Sequence, residues 1–382
     1  MADPVVIRAD RVAQVIARHP WVDAGMVRRH TGPAQTGTAA RLVDDRGAFL
    51  AWGLWTGDPR FPLRLVSWRS EDIVTPALFC DLARRAAQRR ERIRAAGVDA
   101  YRLVFGEADG LPGLVVDAYA GHLVAELECP ALRPYLGPVC EELCSSTDAH
   151  GVSLRTVDGL TTVCGAEPPE LIEIHEPPHS FVVDPRGGQK TGWFCDQREN
   201  RQAVAEYADG VSVLDVFCYT GGFSVACLAA GAVSAHLVDG SRRALELARR
   251  NLELAGHAGR AERTEGDAFD VLKRLGSAGK SYGLVVLDPP KMLAPDGDRA
   301  TAERAYRKLQ AWAMRLVRPG GVLATFSCSG AIDRSRLDAL VAEAAGDRPC
   351  RILRRLGQPQ DHPVLLSFRK TEYLKGLILE LD

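Results

Sequence analysis

The chain has 382 residues, of which 46% are hydrophobic and 25% charged, and its formal net charge is −1. This length is more than one ordinary hydrophobic core needs, so we expect a globular protein of two or three domains. The balanced charge gives no sign of nucleic-acid binding by the chain as a whole, and the longest apolar runs are too short to span a membrane.

The N-terminus and the cysteines favour a cytoplasmic protein. The first eight residues have no basic start followed by an apolar stretch, so we predict no secretory signal. The ten cysteines are dispersed, with no CxxC pair and no nearby pair of histidines. We therefore predict neither a disulfide framework nor a metal site, and we expect most thiols to be small buried groups.

Charge is distributed unevenly along the chain. Residues 1–95 carry sixteen Arg against ten Asp or Glu, whereas the remainder carries 32 basic and 39 acidic side chains. A basic front can serve phosphate contacts, but the arginines between Arg84 and Arg94 can equally form the solvated face of a helix. The same asymmetry would also allow a homodimer in which the basic residues 1–95 of one copy face the acidic remainder of the other.

The first 96 residues predict a small β-rich region followed by a helix. Alternating strands are expected at Thr38 to Val43, Ala48 to Trp55 and Leu63 to Trp68, with a turn at residues 44–47. Pro76 to Ala96 reads as one arginine-rich helix that connects to the next domain.

An α+β domain is expected next. Strands at residues 101–105, 114–117 and 122–127, separated by turns, predict an antiparallel meander. A helix to about Cys144 and further strands near Leu171 and Phe181 complete it.

From about Arg198 strands alternate with helices, which predicts a parallel sheet with helices on both faces, a Rossmann-like α/β fold. The expected strands are residues 211–217, 235–239, 284–288 and 322–326, and the expected helices include 222–230 and 241–254. Ligands bind beyond the carboxyl ends of the strands in such sheets, so the candidate site lies there.

Acidic residues and a glycine turn follow three of these strands. Asp215 precedes the turn that contains Gly221, and Asp239 ends the next strand, where a carboxylate can accept both ribose hydroxyls. Asp267, followed by Ala268 and Phe269, can accept from an adenine amino group. We therefore expect an adenine nucleoside derivative as the ligand.

The charge of Asp215 selects among such ligands. A dinucleotide needs a G-x-G-x-x-G turn with its pyrophosphate at the helix N-terminus, where this chain has a carboxylate instead. A carboxylate suits the sulfonium and ammonium groups of S-adenosylmethionine. The sequence thus favours a methyltransferase over a dehydrogenase, although Asp215 alone could simply cap a turn.

Asp288-Pro289-Pro290-Lys291 follows the fourth strand. Proline cannot donate within a central strand, so the segment must be a loop that presents Asp288 beside the methyl donor. Asp-Pro-Pro in this context is typical of methyltransferases that act on planar nitrogens or carbons of bases or amides.

Cys328 follows the next predicted strand and should face Asp288. Carbon 5 of a pyrimidine is a poor nucleophile, but a thiolate that adds to carbon 6 makes carbon 5 reactive, while Asp288 could hold the cytosine N3–N4 edge. The alternative for Cys328 is a small buried group that ends a strand.

Together these motifs resemble the bacterial large-subunit ribosomal RNA cytosine-5 methyltransferases with three domains. The resemblance rests on Tyr101–Val104 with Asp109–Gly113, Gly188–Gly192 with Asp196–Arg198, Asp215–Phe223, Asp288–Lys291, Phe326–Gly330 and Asp361–Pro363. It implies a PUA-like domain over 1–72, a linker helix and α+β domain over 73–185, and a Rossmann-like methyltransferase domain over 186–382. The first 70 residues fit only loosely.

The resemblance also implies residue roles. Cys328 and Asp288 would be catalytic, S-adenosylmethionine the cofactor and 23S ribosomal RNA the partner. Cofactor contacts would come from Lys190, Gln197, Arg198, Asp215, Phe217, Tyr219, Thr220, Gly221, Asp239, Ser241, Asp267, Ala268, Phe269 and Asp288. Substrate contacts would come from Pro289, Pro290, Lys291 and His362.

Two departures from the family pattern leave alternatives open. There is no second cysteine beside Asp288-Pro289-Pro290 to assist product release, so another group must take the carbon-5 proton, and Cys218 stands where serine is more usual. The rival interpretations are methylation of a guanine or adenine nitrogen with Cys328 uninvolved, a non-catalytic RNA-binding assembly factor, and a small-molecule methyltransferase.

Overall fold

The structure, a computed structural model, describes residues 4–31, 34–292 and 298–382. The chain divides into two compact units. The first unit is Met1–Ile174, Asp184–Cys195 and Gln360–Thr371, and the second is His175–Val183, Asp196–Pro359 and Glu372–Asp382. No helix in these described stretches is long and apolar enough to cross a membrane. The predicted domain boundaries at 72 and 185 stay predictions.

The N-terminal part of the first unit is a six-stranded sheet, as its alternating segments predicted. Its elements are β1 (Pro4–Ile7), α1 (Val12–Ile16), β2 (Trp21–Val22), β3 (Val27–His30), β4 (Ala39–Val43), β5 (Phe49–Trp55) and β6 (Leu63–Ser67), and the strand order is β2-β6-β5-β4-β1-β3. Ile7, Leu42 and Leu63 are fully buried in its core, because every second side chain of a strand points to the same face.

The arginine-rich segment forms two helices, α2 (Pro76–Arg89) and α3 (Glu91–Ala95), so the prediction of one helix from Pro76 to Ala96 was wrong at Arg90. The Arg90 side chain is 1% exposed and donates to both carboxylate oxygens of Asp109, at 2.7 and 2.8 Å. A buried guanidinium needs such acceptors. The interpretation of this arginine as a solvated or phosphate-binding residue was therefore also wrong.

Other arginines of that segment bind within the first unit. Arg84 pairs with Glu142 at 2.9 Å, Arg89 pairs with Asp109 at 2.7 Å, and Arg94 donates to the carbonyl of Thr147. Arg84 and Arg89 are nevertheless exposed, as are Arg85 and Arg92. The charge asymmetry thus reflects internal pairing as well as surface charge.

The meander prediction is confirmed in the first unit's second sheet. Its elements are β7 (Ala100–Phe105), β8 (Leu114–Tyr119), β9 (His122–Leu127), α4 (Leu136–Thr147), β10 (Gly151–Thr156) and β11 (Gly159–Gly165), in the strand order β11-β10-β9-β8-β7. Strands β7 to β9 are antiparallel neighbours, and β10 pairs with β9 in parallel. Helices α2 and α4 cover this sheet through a core that includes Phe79, Leu103 and Leu143.

The second unit contains a seven-stranded sheet with helices between its strands. In chain order, a small two-stranded sheet comes first, formed by β12 (Ile172–Glu176) and β13 (His179–Val183). The elements that follow it are α5 (Arg198–Ala205), β14 (Ser212–Val216), α6 (Gly222–Ala229), β15 (Ser234–Asp239), α7 (Arg242–Leu254), β16 (Ala261–Glu265), α8 (Ala268–Ser277), β17 (Tyr282–Leu287), α9 (Arg299–Arg315), β18 (Val317–Ser327), α10 (Arg334–Ala345), β19 (Cys350–Gly357) and β20 (Lys375–Leu381). The strand order of the large sheet is β16-β15-β14-β17-β18-β20-β19.

Strands β14 to β18 pair in parallel, as predicted, but the pairings of β20 with β18 and β19 are antiparallel, so β20 alone of the seven strands runs in the opposite direction. The carboxyl ends of β14 to β18 therefore share one edge of the sheet with the beginning of β20, where Lys375 is paired with Ser327. This edge is where ligands bind in sheets of this kind.

Candidate active site

The loop between β14 and α6 has an unusual backbone. Phe217, Tyr219 and Gly221 have φ values of 63°, 49° and 79°. A non-glycine residue in this region costs about 1–3 kcal/mol, and such strain concentrates at functional sites. A Cβ atom at Gly221 would lie 3.1 Å from Leu237 Cδ2, so the loop can pack this closely only with glycine there. The strained loop is the first component of the site.

Asp215 lies beneath this loop. Its side chain is 1% exposed, and its Oδ2 accepts from the backbone N–H of Ser224 at 3.2 Å and from the Ser224 hydroxyl at 2.7 Å. Burial raises the pKa of the Asp215 carboxyl to about 7, although both bonds from Ser224 act to lower it. The residue supports the start of α6 from inside the protein, and its contact with a cofactor stays a prediction.

Asp239 ends β15 and organises the loop from the other side. Its Oδ2 accepts from Tyr219 N at 2.8 Å and its Oδ1 accepts from Ser241 N at 2.8 Å. A carboxylate oxygen has two lone pairs, so each oxygen can accept one further hydrogen, as two ribose hydroxyls require. Ser241 itself caps α7 by accepting from Ala244 N.

Asp267 caps helix α8. Its Oδ1 accepts from Phe269 N at 2.9 Å and from Asp270 N at 3.3 Å, which is the usual N-cap arrangement. The side chain is exposed, Ala268 is buried and Phe269 is half-buried. Both capping bonds go to one oxygen, so an adenine amino group could still donate to Oδ2.

The buried hydroxyl of Thr220 indicates whether this edge of the sheet suits S-adenosylmethionine. Its side chain is buried, and no partner for its Oγ1 exists among the described residues, which is rare for a buried hydroxyl. A ligand with hydrogen-bonding groups would satisfy this atom. Together with the Asp239 acceptors and the strained loop, the residues present fit the amino-acid and ribose parts of S-adenosylmethionine.

Asp288 follows β17 at the same edge, and Gln197 binds it. The Gln197 side-chain amide donates to Asp288 Oδ2 at 2.9 Å. Asn200 donates to Gln197 Oε1 at 2.6 Å and to the carbonyl of Gly357 at 3.0 Å. Gln197 is buried, so this chain of bonds fixes the orientation of the Asp288 carboxylate.

Cys328 follows β18, the parallel neighbour of β17. The register pairs Leu287 with Thr325, so Asp288 and Cys328 leave adjacent strands at the same edge. Cys328 is a partly exposed cysteine that forms no disulfide. The pKa of the hydroxyl of buried Tyr306 on α9 is raised mainly by burial, and charge on Asp288 or Cys328 acts in the same direction.

Tyr306 donates from its hydroxyl to the carbonyl of Phe326 at 2.6 Å. Burial raises the pKa of the Tyr306 hydroxyl, so the side chain stays neutral and keeps that bond. The bond holds the end of β18 two residues before Cys328.

A cleft opens beside Cys328 in the second unit. Its lining residues are Pro289, Pro290, Met292, Arg299, Ala302, Glu303, Tyr306, Ser327, Ser329, Ala331 and Ile332. Cys328 is not one of these lining residues, although it lies between two of them in the chain. Pro290, which lines the cleft, and its neighbour Lys291 are exposed.

Three other predicted site residues have different surroundings. Arg198 is a buried residue at the start of α5. Lys190 is exposed in the first unit, with its Nζ 4.4 Å from the centre of the Phe194 ring. His362, also in the first unit, is 1% exposed and its Nδ1 lies 3.3 Å from Asp361 Oδ1. This burial favours a packing role for His362, and its contact with substrate stays a prediction.

Sequence reasoning missed three residues at this edge, namely Asn200, Tyr306 and Lys375. A charged side chain at the start of the apolar segment Lys375–Leu381 was a signal that could have identified Lys375. Nothing in the local pattern distinguishes Asn200 or Tyr306 from other helix residues.

Cys218, which we did not consider catalytic, is 5% exposed, and burial raises the pKa of its thiol well above the ordinary range, so it is a poor nucleophile.

Comparisons with known proteins agree with this geometry. A family model described as S-adenosylmethionine-dependent methyltransferase matches residues 151–377, and a model described as PUA-like domain matches residues 5–68. The chain is 35% identical to the "Ribosomal RNA large subunit methyltransferase I" of Erwinia tasmaniensis, with 97% of this chain and 98% of that protein covered. It is 34% identical to the protein of the same name from Salmonella gallinarum, with 97% and 96% covered.

Solved structures show the same fold. SMU.776, described as a methyltransferase and solved in complex with SAH, has a TM-score of 0.89 at 19% identity, with both chains fully covered. A protein from Streptococcus mutans described as a SAM-dependent methyltransferase has a TM-score of 0.88 at 19% identity, again with both chains fully covered. The predicted fold, a Rossmann-like methyltransferase domain with an α+β domain and an N-terminal PUA-like domain, is therefore confirmed.

Proposed function

Because the chain belongs to the S-adenosylmethionine-dependent methyltransferase family, with the ribosomal RNA large subunit methyltransferases I as relatives, we propose that it methylates carbon 5 of a cytosine in large-subunit (23S) ribosomal RNA. The observation that supports this most is the pair of Asp288 and Cys328 on adjacent parallel strands, at the edge that carries the cofactor residues. A nitrogen methyltransferase has no need of a thiol there.

S-adenosylmethionine is the cofactor, and it supplies a methyl group on a positively charged sulfur that acts as an electrophile. Asp239 would hold the ribose hydroxyls, and the loop of Phe217, Tyr219 and Thr220 would surround the amino-acid part. Asp267 and Phe269 would bind the adenine. Held by these residues, the cofactor would supply its methyl group at the carboxyl edge of the sheet, where Asp288 lies.

Cys328 would act as the nucleophile. Its thiolate adds to carbon 6 of the cytosine and forms an Sγ–C6 bond, and the electron pair of the C5–C6 double bond becomes available at carbon 5. Carbon 5 would then attack the methyl group, whose bond to the sulfonium sulfur breaks and leaves a neutral thioether. A base would remove the carbon-5 proton, the C5–C6 double bond would re-form, and the Sγ–C6 bond would break to regenerate the thiolate. Asp288, oriented by Gln197, would hold the N3–N4 edge of the base during addition.

A ribosomal RNA substrate agrees with the extra domain. A PUA-like domain is unnecessary for a small metabolite, whereas a base within RNA must be unstacked and held, at a cost of a few kcal/mol. Such an enzyme would work in the cytoplasm, where ribosomal RNA is made.

If phosphate contacts dominate RNA binding, the affinity for RNA should fall steeply as the salt concentration rises. A flat salt response would favour the small-molecule alternative.

The test is Cys328→Ala, assayed for methyl transfer to ribosomal RNA with mass mapping of the modified nucleotide. We expect loss of 5-methylcytosine formation with cofactor binding unchanged in calorimetry. Cys350→Ser is the matched control, because Cys350, on β19, is a free thiol that is partly exposed, as Cys328 is. It should keep full activity.

Other outcomes of this experiment support the rival functions. A Cys328→Ala enzyme that retains most of its activity, with a methylated guanine or adenine as product, would exclude the covalent mechanism. Absence of both cofactor binding and methyl transfer in the unmodified protein would favour a non-catalytic assembly factor. Mapping of modified cytosines in ribosomal RNA from cells with and without the gene identifies the target nucleotide.

A further inference from the structure

Lys375 is a buried lysine beside the proposed nucleophile. It begins β20, next to Ser327 on β18, and its side chain is 3% exposed. The Nζ atom donates to the carbonyl of Ser329 at 2.7 Å and to the carbonyl of Tyr373 at 2.7 Å. Ser329 directly follows Cys328, so the ammonium is bonded to the carbonyl of the residue after the cysteine.

Such a position is costly for a charged group. Desolvation of an ammonium costs several kcal/mol, and neutral carbonyl oxygens compensate for it only in part. The other residues of β20 are mostly apolar, and an apolar side chain could pair with β18 equally well. A structural role alone therefore does not explain a lysine at this position.

The groups that face Lys375 include the thiol. A negative charge on Cys328 stabilises the ammonium, as do Glu372 and Asp333, whereas Arg334 opposes them. Burial is nonetheless the largest influence and lowers the pKa of the Lys375 ammonium. Because interactions between charges are mutual, the ammonium stabilises a thiolate at Cys328 by the same amount that the thiolate stabilises the ammonium.

We propose that Lys375 is the positioning residue for Cys328: its ammonium holds the carbonyl of Ser329, the residue after the cysteine, and supplies the positive charge that stabilises the attacking thiolate. Only the thiolate adds to a pyrimidine, and an ordinary thiol is mostly protonated at neutral pH. Lys375 would thus keep the nucleophile ready without touching the substrate. This inference rests on the proposed role of Cys328 as nucleophile.

The test measures the thiolate directly, with no RNA and no methyl transfer. The unmodified protein, Lys375→Met and Lys375→Arg are treated with iodoacetamide between pH 5 and pH 10, and alkylation of Cys328 is followed by peptide mass spectrometry. Methionine keeps most of the length of the side chain without its charge, and arginine keeps the charge. Lys280→Met, which changes an exposed lysine of the same unit, is the matched control.

We expect the pH midpoint of Cys328 alkylation to rise by about one unit or more in Lys375→Met, as loss of a nearby opposite charge requires. Lys375→Arg should restore most of that shift, and Lys280→Met should show none. Cys350 in the same samples serves as an internal standard, since its midpoint should be the same in all four proteins. A shift at Cys350 as well as at Cys328 would indicate general unfolding and would contradict a specific role.

An unchanged Cys328 midpoint in folded Lys375→Met, with a normal thermal unfolding midpoint, would overturn the inference. The same holds if Lys375→Arg behaves like Lys375→Met, because then charge is not what matters. Neither result bears on whether Cys328 is the nucleophile, which the Cys328→Ala assay decides. The two proposals can therefore fail separately.

Discussion

Gln197 donates its side-chain amide to Asp288 Oδ2 at 2.9 Å, so a residue from the segment before α5 orients the carboxylate that follows β17. The two residues are 91 positions apart in the chain. Gln197 in turn accepts from Asn200, which is also bonded to the carbonyl of Gly357. The orientation of the proposed base-binding carboxylate therefore depends on three segments of the second unit.

Replacement of Gln197 should impair catalysis more than folding. A hydrogen bond to a charged group contributes about 1.5–3 kcal/mol, so we expect kcat/KM of Gln197→Ala to fall about ten- to hundredfold. Steady-state methyl-transfer kinetics measure this. Gln202→Ala, at an exposed glutamine of α5, the helix that follows Gln197, is the control. Activity within twofold of the original in Gln197→Ala would show that Asp288 needs no such support.

Asp239 should determine cofactor affinity. Asp239→Ala removes the acceptor of two backbone N–H groups, those of Tyr219 and Ser241, and the proposed acceptor of the ribose hydroxyls. We expect the Kd for S-adenosylmethionine to rise at least about tenfold, from the loss of charge-assisted bonds. Isothermal titration calorimetry gives the value, with exposed Asp270→Ala as the control. Equal affinity in both variants would remove Asp239 from the cofactor site.

The buried Asp215 carboxyl should make stability depend on pH. Its pKa is raised from 3.8 to about 7, so between those values the folded protein holds a proton that the unfolded chain has lost. The free energy of unfolding should therefore fall as pH rises through this window. Asp215→Asn lacks this loss, and its stability relative to the original should increase from pH 5 to pH 8 by about 3 kcal/mol, since about two pH units of the window lie in that range.

Urea unfolding without cofactor at pH 5 and pH 8 tests the Asp215 prediction. Asp270→Asn is the matched control, because that carboxyl is exposed and its substitution should leave the pH dependence unchanged. A stability difference between Asp215→Asn and the original protein that stays constant over the two pH values would contradict a raised pKa.

Loss of Arg90 should destabilise the first unit. Arg90→Met leaves the carboxylate of Asp109, a buried group with both oxygens bonded to Arg90, without that partner. Breaking a buried ion pair in this way costs about 3–5 kcal/mol. We expect a lower urea midpoint, measured by circular dichroism, with Arg85→Met, an exposed arginine of α2, within about 0.5 kcal/mol of the original. Equal midpoints in the two variants would contradict the role of the buried pair.

Local sequence pattern was sufficient for the elements of the second unit. The alternation of short apolar runs with amphipathic segments predicted β14, α6, β15 and α7 to within one or two residues, because strand and helix periods are properties of neighbouring residues. The same pattern predicted that Asp215, Asp239 and Asp288 lie at or near the ends of strands. Because parallel strands bring their carboxyl ends to one edge of the sheet, it also predicted that these residues share that edge. The thiol of Cys328 was found in the same way.

Tertiary structure alone decided which of these side chains contact each other. Burial of Asp215 against Ser224, the bond from Gln197 to Asp288, and the bond from the ammonium of Lys375 to the carbonyl of Ser329 all join residues that no local period relates. The antiparallel pairing of β20 with β18 brings Lys375 there, and a sequence of alternating strands and helices predicts only parallel neighbours. Strand order depends on the packing of the whole sheet, whereas periodicity reports only which face of each element is apolar.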